Sequence, residues 1–200
     1  PESIYYRLLA QNYLPKDLDK VLYLDADILC INDLQPLYEL PLEDHLYAAA
    51  NHSKLTEVTT VINKVRLKNY ESEGYFNSGV LLMNLTQLRQ EVKEKEIAAF
   101  IQKNQLNLFL PDQDILNGLY GDRILGIPDQ LYNYDVRKNR TYETISLGHW
   151  DLDWVIDHTV LLHFCGKDKP WKKGYKSRYG SLYKYVAQQQ SKYSRSLSDN

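Results

Sequence analysis

Apolar positions in this chain fall into short runs of two kinds, helical stripes and strand-length blocks. Ile4, Tyr5, Leu8 and Leu9 stand at i, i+4 spacing and predict a helix over residues 3–12, stopped by Pro15. Val21–Leu24 is a short β-rich block that reads as a buried strand ending at Asp25, and Asp33-Leu-Gln-Pro reads as a turn. Leu46–Ala50 predicts a second strand, and Tyr75–Asn84 a third, in which Gly79 permits a close backbone approach. Between them, Glu57–Ser72 is polar and without period, as in a loop or a weak helix. Thr86 is the expected N-cap of one helix running to Asn104, with Ile97, Phe100 and Ile101 on its inner face. Residues 112–120 read as helical with Gly121 as the C-terminal stop, followed by strands at Ile124–Ile127 and Val160–Phe164. Strands alternating with helices predict an α/β domain with a largely parallel sheet.

Composition narrows the classes. The chain has 200 residues, 44% hydrophobic and 25% charged, enough for one domain with a real core. A net charge of −2 gives no reason to expect nucleic acid as a partner, and no stretch reaches the apolar length of a membrane span. Cys30 and Cys165 are far apart in apolar surroundings, which argues against a disulfide framework and for a reducing, cytoplasmic setting. The N-x-S/T matches at Asn51, Asn84 and Asn139 then read as chance. Residues 172–200 form a tail in which Lys173, Lys176, Arg178 and Lys184 mix with Tyr175, Tyr179, Tyr183 and Tyr185. That mixture suits peripheral contact with the inner face of a membrane or a polyanionic acceptor; a solvated helix packing its tyrosines on the domain is the alternative.

Candidate chemistry begins with VLYLDADILC, Val21 to Cys30, where an apolar run carries Asp25 and Asp27 in its middle. In a strand, side chains two apart share a face, with Cα atoms roughly 6.5–7 Å apart. The two carboxylates therefore converge on one point at the strand's end, while Ala26 turns to the other side. Held together, two carboxylates repel unless a cation lies between them, and hard oxygen ligands suit Mg2+ or Mn2+. A D-x-D sequence alone is also common at turns and solvated strand ends. The second motif, HFCGKDKPW from His163 to Trp171, ends an apolar strand in a histidine and follows it with Gly166, Lys167 and Lys169. The histidine would add an imidazole ligand, which leans the metal towards Mn2+, and a Gly/Lys turn can hold a phosphate.

YLDADIL, YFNSGVLLMNL, PDQDILNG and HFCGKDKPW occur in that order and together resemble glycosyltransferase family eight, the retaining nucleotide-sugar transferases. The resemblance runs from Pro1 to about Trp171, so residues 1–171 are expected to be the catalytic domain. It implies an α/β, GT-A-type Rossmann-like fold, Mn2+ (or Mg2+) as cofactor, and a UDP-sugar donor. The acceptor would be a saccharide, a lipid-linked glycan or a glycoprotein. Carried over by motif, Asp25, Asp27 and His163 are the implied metal ligands. Gly166 and Lys169 would hold the donor diphosphate, and Arg7 would reach the donor. Asn77 and Ala26 join the donor-binding set, and Asp112 and Gln113 would flank the donor sugar at the reacting carbon. Asp112 could instead be a helix cap, Asn77 a turn former and Arg7 a solvated charge. Where many relatives have an acidic donor-sugar contact this chain has Asn51 and His52, which leaves the sugar open. The chain opens on a helix with no candidate base-binding strand ahead of it, so further N-terminal nucleotide-binding strands are expected upstream. Two rivals stand beside this reading: a haloacid-dehalogenase-type phosphohydrolase, which also presents D-x-D on a strand, and a nucleotide-sugar-binding module without turnover.

Overall fold

The structure, a computed structural model, describes residues 2–51, 74–106 and 108–198. The expected loop or weak helix at Glu57–Ser72 and the residue His52 lie outside them. A 3-10 helix, Glu2–Asn12, comes first, where the periodicity predicts an α-helix. Then follow β1 (Lys20–Leu24), β2 (Ile28–Cys30), α1 (Gln35–Tyr38), β3 (Tyr47–Asn51) and β4 (Phe76–Asn84). Helices α2 (Leu85–Glu91), α3 (Glu94–Asn104) and α4 (Pro111–Tyr120) lead to β5 (Ile124–Ile127). The chain continues through α5 (Asp129–Tyr132), β6 (Tyr134–Asp135), α6 (Asn139–Ile145), α7 (Leu152–His158), β7 (Leu161–His163) and α8 (Tyr179–Ser198).

Two sheets result, a four-stranded one in the order β1-β4-β3-β5 and a three-stranded one in the order β2-β7-β6. Neither is largely parallel. β4 runs antiparallel to both β1 and β3, and β2 antiparallel to β7; only β3–β5 and β6–β7 are parallel. Strands buried on both faces are near-continuously apolar whatever their direction, so the sequence pattern could not tell the two arrangements apart. β4 illustrates this: Leu81 and Met83 enter one core cluster while Val80 and Leu82 enter another on the opposite face. Tyr47 and Ala49 divide from Ala48 and Ala50 in the same way on β3.

The single helix expected from Thr86 is two. Asn84 is the cap, its side chain accepting from the Gln87 N–H, and Val92 and Lys93 are extended between α2 and α3. The break turns Val92 into the core, where it is buried with Ile97, while Phe100 and Ile101 pack alongside. Gly121 does not stop α4 in a left-handed turn but continues into a 3-10 turn with φ −60°. A third cluster around β6 and β7 holds Tyr134, Tyr142, Phe164 and Tyr179. Through Tyr179, fully buried, the first turn of α8 is part of that core; further along, the residues from Ala187 to Ser194 are exposed. Among the described residues no helix is long and apolar enough to cross a membrane.

Candidate active site

Asp25 and Asp27 are not on a strand. β1 ends at Leu24 and β2 begins at Ile28 in the other sheet, so Asp25-Ala26-Asp27 is the turn by which the chain crosses between sheets. Three backbone bonds shape it: Asp25 N–H to Gly79 O (2.8 Å), Ile28 N–H to Asp25 O (3.2 Å) and Phe164 N–H to Asp27 O (2.9 Å). The carboxylates therefore converge through the turn and its anchoring to β4 and the end of β7, rather than through strand alternation. Ala26 sits exposed at the tip of the turn.

His163, at the C-terminal end of β7 and buried, faces both carboxylates. Its Nε2 is 3.2 Å from Asp27 Oδ1 and 3.9 Å from Asp25 Oδ2, and one ligand atom from each of the three residues lies within 4.8 Å of the others. Gly79 makes room for this approach: a Cβ there would stand 2.5 Å from His163 Cε1 and 2.9 Å from Asp25 Oδ2. Burial holds the imidazole below its ordinary pKa, against the opposing pull of Asp27 and Asp25, so the neutral form is favoured.

A row of amides fixes which nitrogen of that neutral ring carries the proton. Asn77 Oδ1 accepts from Gly79 N–H (2.8 Å) and from Asn133 Nδ2 (2.9 Å), which leaves Asn133 Oδ1 facing His163 Nδ1 at 2.7 Å. That oxygen can only accept, so Nδ1 is the donor and the Nε2 lone pair points at two carboxylates. A lone pair and two carboxylates in mutual contact are all electron donors, and a cation among them resolves the repulsion. One nitrogen and two carboxylate oxygens fit a divalent metal ion. Asp25, Asp27 and His163 are the residues that would hold it.

Around the cluster the other candidates are joined. Arg7 reaches in from the 3-10 helix and bridges Asp25 Oδ1 and Asp112 Oδ2, each at 3.1 Å, and also donates to Ser78 O (3.0 Å). Its guanidinium lies over the Tyr23 ring, and Tyr23 donates its hydroxyl proton to Asp25 Oδ1 (2.7 Å). Burial, with the Asp25 hydrogen bond behind it, pushes the Tyr23 phenol far up, so it stays a donor. Asp112 also accepts from Ser78 Oγ (2.9 Å), and Asn77 Nδ2 donates to Gln113 Oε1 (3.2 Å). Asp112 does not cap α4; the buried Asp114 carboxylate takes the Phe109 and Leu110 N–H groups instead. On the far side Lys169 Nζ contacts Asp27 Oδ2 and donates to Phe164 O (2.9 Å). Gly166, at φ +87°, turns the chain between His163 and Lys169 and lies in a cleft of about 640 Å³ lined by Arg137, Lys167 and residues 172–177.

All the metal and polar candidates thus meet in one region, with Ala26 and Gly166 at its margins. Asn51 ends β3, where the β3–β4 register shifts. Sequence reasoning missed Asn133, Ser78, Tyr23 and Arg137. Tyr23, two residues before Asp25, and Ser78, beside Asn77 in YFNSGVLLMNL, had a local signal; Asn133 and Arg137 reach the site only through tertiary contacts.

An α/β fold with an acid–acid–imidazole cluster between its two sheets defines a GT-A-type glycosyltransferase domain. Its backbone matches the crystal structure of the galactosyltransferase LgtC in complex with donor and acceptor sugar analogues. The TM-score is 0.74 at 28% identity, covering 92% of this chain and 66% of that one. Residues 2–174 match the family described as glycosyl transferase family 8, and the chain belongs to that family. It is 37% identical over 179 residues to a lipopolysaccharide 1,2-glucosyltransferase of Escherichia coli, covering 86% of this chain and 50% of that protein. It is 27% identical over 171 residues to the lipopolysaccharide 1,3-galactosyltransferase of Salmonella typhimurium, covering 84% and 49%. The chain spans about half the length of these curated relatives.

Proposed function

We propose that this chain carries the catalytic site of a metal-dependent, retaining hexosyltransferase. It would move glucose or galactose from a UDP-sugar to a saccharide, most simply a cell-surface glycan such as lipopolysaccharide, at the cytoplasmic face of the membrane. The observation that carries the proposal is the Nε2 lone pair of His163 directed at Asp25 and Asp27, with Lys169 on the second oxygen of Asp27. Relatives named as glucosyl- and galactosyltransferases support the sugar class.

When bound, a divalent cation would offset the negative charge that builds on the departing diphosphate. Lys169 places a fixed ammonium beside the same group, and the Gly166 turn lets backbone approach it. Arg7 holds Asp112 and Asp25 in one frame, so the residue beside the sugar and a metal ligand keep a constant separation. Gln113, neutral and hydrogen-bonded to Asn77, is too weak a nucleophile for a covalent intermediate and serves as a positioning group. The proton of the acceptor hydroxyl then passes to the departing phosphate on the same face of the sugar, which retains configuration.

The test is UDP release from UDP-glucose and UDP-galactose, with and without a saccharide acceptor, in Mn2+, Mg2+ and EDTA. Turnover should vanish in EDTA and return better with Mn2+ than with Mg2+. Full activity in chelator would overturn the metal reading, and phosphate release from simple phosphate esters without a sugar donor would favour the phosphohydrolase.

A further inference from the structure

The cleft beside Gly166 holds more positive charge than a donor diphosphate accounts for. Lys169 is turned towards Asp27 and Phe164 O, on the metal side. Besides it, the lining contains Lys167, Lys172, Lys173 and Lys176 against one carboxylate, Asp168, while the charge of Arg137 is met by Asp135 behind the wall. In a chain of net charge −2 this is a local concentration, not a general excess. Like charges gathered this way repel one another and create a positive potential focused by the concave wall, which an anion relieves.

Part of the wall is held in place. Arg137 is tied through Nε (2.9 Å) and one terminal nitrogen (2.7 Å) to Asp135, whose side chain is 2% exposed. The other terminal nitrogen lies against Gly166, 2.9 Å from where a Cβ would stand. Lys172 donates to Lys167 O at 3.1 Å, and Gly174, at φ +85°, turns the chain so that Lys173 and Lys176 lie on the same cleft.

We infer that this cleft is a second anion subsite, which binds a phosphate group carried by the saccharide acceptor next to the donor site. The acceptor and its saccharide rest on the glycosyltransferase reading; the binding of a phosphate group does not. A concave site of about 640 Å³ has room for a discrete phosphosugar.

The experiment compares the intact chain with the K172Q/K173Q/K176Q variant, three exposed positions outside the core. Both are titrated with glucose 6-phosphate, glucose and inorganic phosphate by 15N–1H correlation spectroscopy. Binding of Mn2+ and of Mn2+–UDP is measured by calorimetry, and sedimentation with phosphatidylglycerol vesicles is measured in parallel. Glucose 6-phosphate should shift resonances of residues 172–177 saturably, glucose should not, and the variant should bind the sugar phosphate about tenfold more weakly. Mn2+–UDP affinity should be the same in both proteins. Equal affinity of the two proteins for glucose 6-phosphate would overturn the subsite, and vesicle binding without sugar-phosphate binding would replace it with a lipid contact. Inorganic phosphate binding as tightly as the sugar phosphate would remove the saccharide from the proposal. Sugar-phosphate binding by an intact chain that binds no Mn2+ would sink the donor reading and leave the subsite standing.

Discussion

Asp27 serves two partners with its two oxygens, His163 through Oδ1 and Lys169 through Oδ2. Asp27→Asn keeps the shape but replaces a charged oxygen donor with an amide. The variant should fold, shown by an unchanged circular dichroism spectrum, while Mn2+ affinity measured by electron paramagnetic resonance drops about 100-fold or more. Retained Mn2+ binding would move the metal elsewhere. Asn133 tests the histidine tautomer. It is fully buried, and its Oδ1 is what keeps the proton on Nδ1. Asn133→Leu removes that acceptor and leaves the buried His163 Nδ1 without its partner, while the half-buried Asn77 Oδ1 keeps only the Gly79 N–H. We expect a loss of about 1–3 kcal/mol in unfolding free energy and a 10- to 100-fold loss in Mn2+ affinity. A stability loss with metal affinity unchanged would mean that Asn133 only fills the core.

Among the elements, β6 and the turn after it depend on one ion pair. Burial alone would raise the Asp135 carboxyl, but the Arg137 hydrogen bonds and charge outweigh it and hold the group below its ordinary range. A carboxylate whose folded pKa is depressed stabilises the fold above its unfolded pKa, and this contribution is lost as pH falls through the folded value. Arg137→Met should therefore cost about 2 kcal/mol at pH 7, and the gap to the wild type should close on acidification below about pH 4. Urea unfolding at several pH values measures it, and a gap independent of pH would assign the loss to packing instead. The helix after β4 makes the complementary point. Thr86 and Asn84 are both acceptable caps by type, and only the backbone turn at the end of β4 selects Asn84.

Over the whole molecule, α8 joins the domain through its first turns. Tyr179 is 1% exposed and donates its hydroxyl proton to Asn139 Oδ1 (2.7 Å), and Tyr183 packs on Phe164. Removing residues 179–200 should lower stability by about 3–5 kcal/mol, on the scale of truncating a buried aromatic side chain. Removing residues 188–200, where the side chains described through Ser194 are exposed, should leave the thermal midpoint within about 2 °C. Scanning calorimetry of the two truncations decides between them; equal loss in both would mean that the outer half of α8 is held by more than its described contacts.

Apolar patterning alone located the strand blocks Val21–Leu24, Tyr75–Asn84 and Val160–Phe164, and the residue types that end them. Apolar periodicity reports burial, and carboxylates at the end of an apolar run are costly unless they have work to do there. Ordered motifs also carried Arg7, Asn77, Asp112 and Gln113 to one site. Strand direction was not legible, because a strand covered on both faces reads the same either way. Nor was the form of the Asp25–Asp27 unit, a crossing between sheets whose shape depends on hydrogen bonds to Gly79 and Phe164. The tautomer of His163 was decided last and farthest from the local sequence. It follows from an amide row running from Gly79 through Asn77 and Asn133, residues that meet only when β4 and the start of β6 are brought together, since a hydrogen-bond direction belongs to the assembled network and not to any one residue.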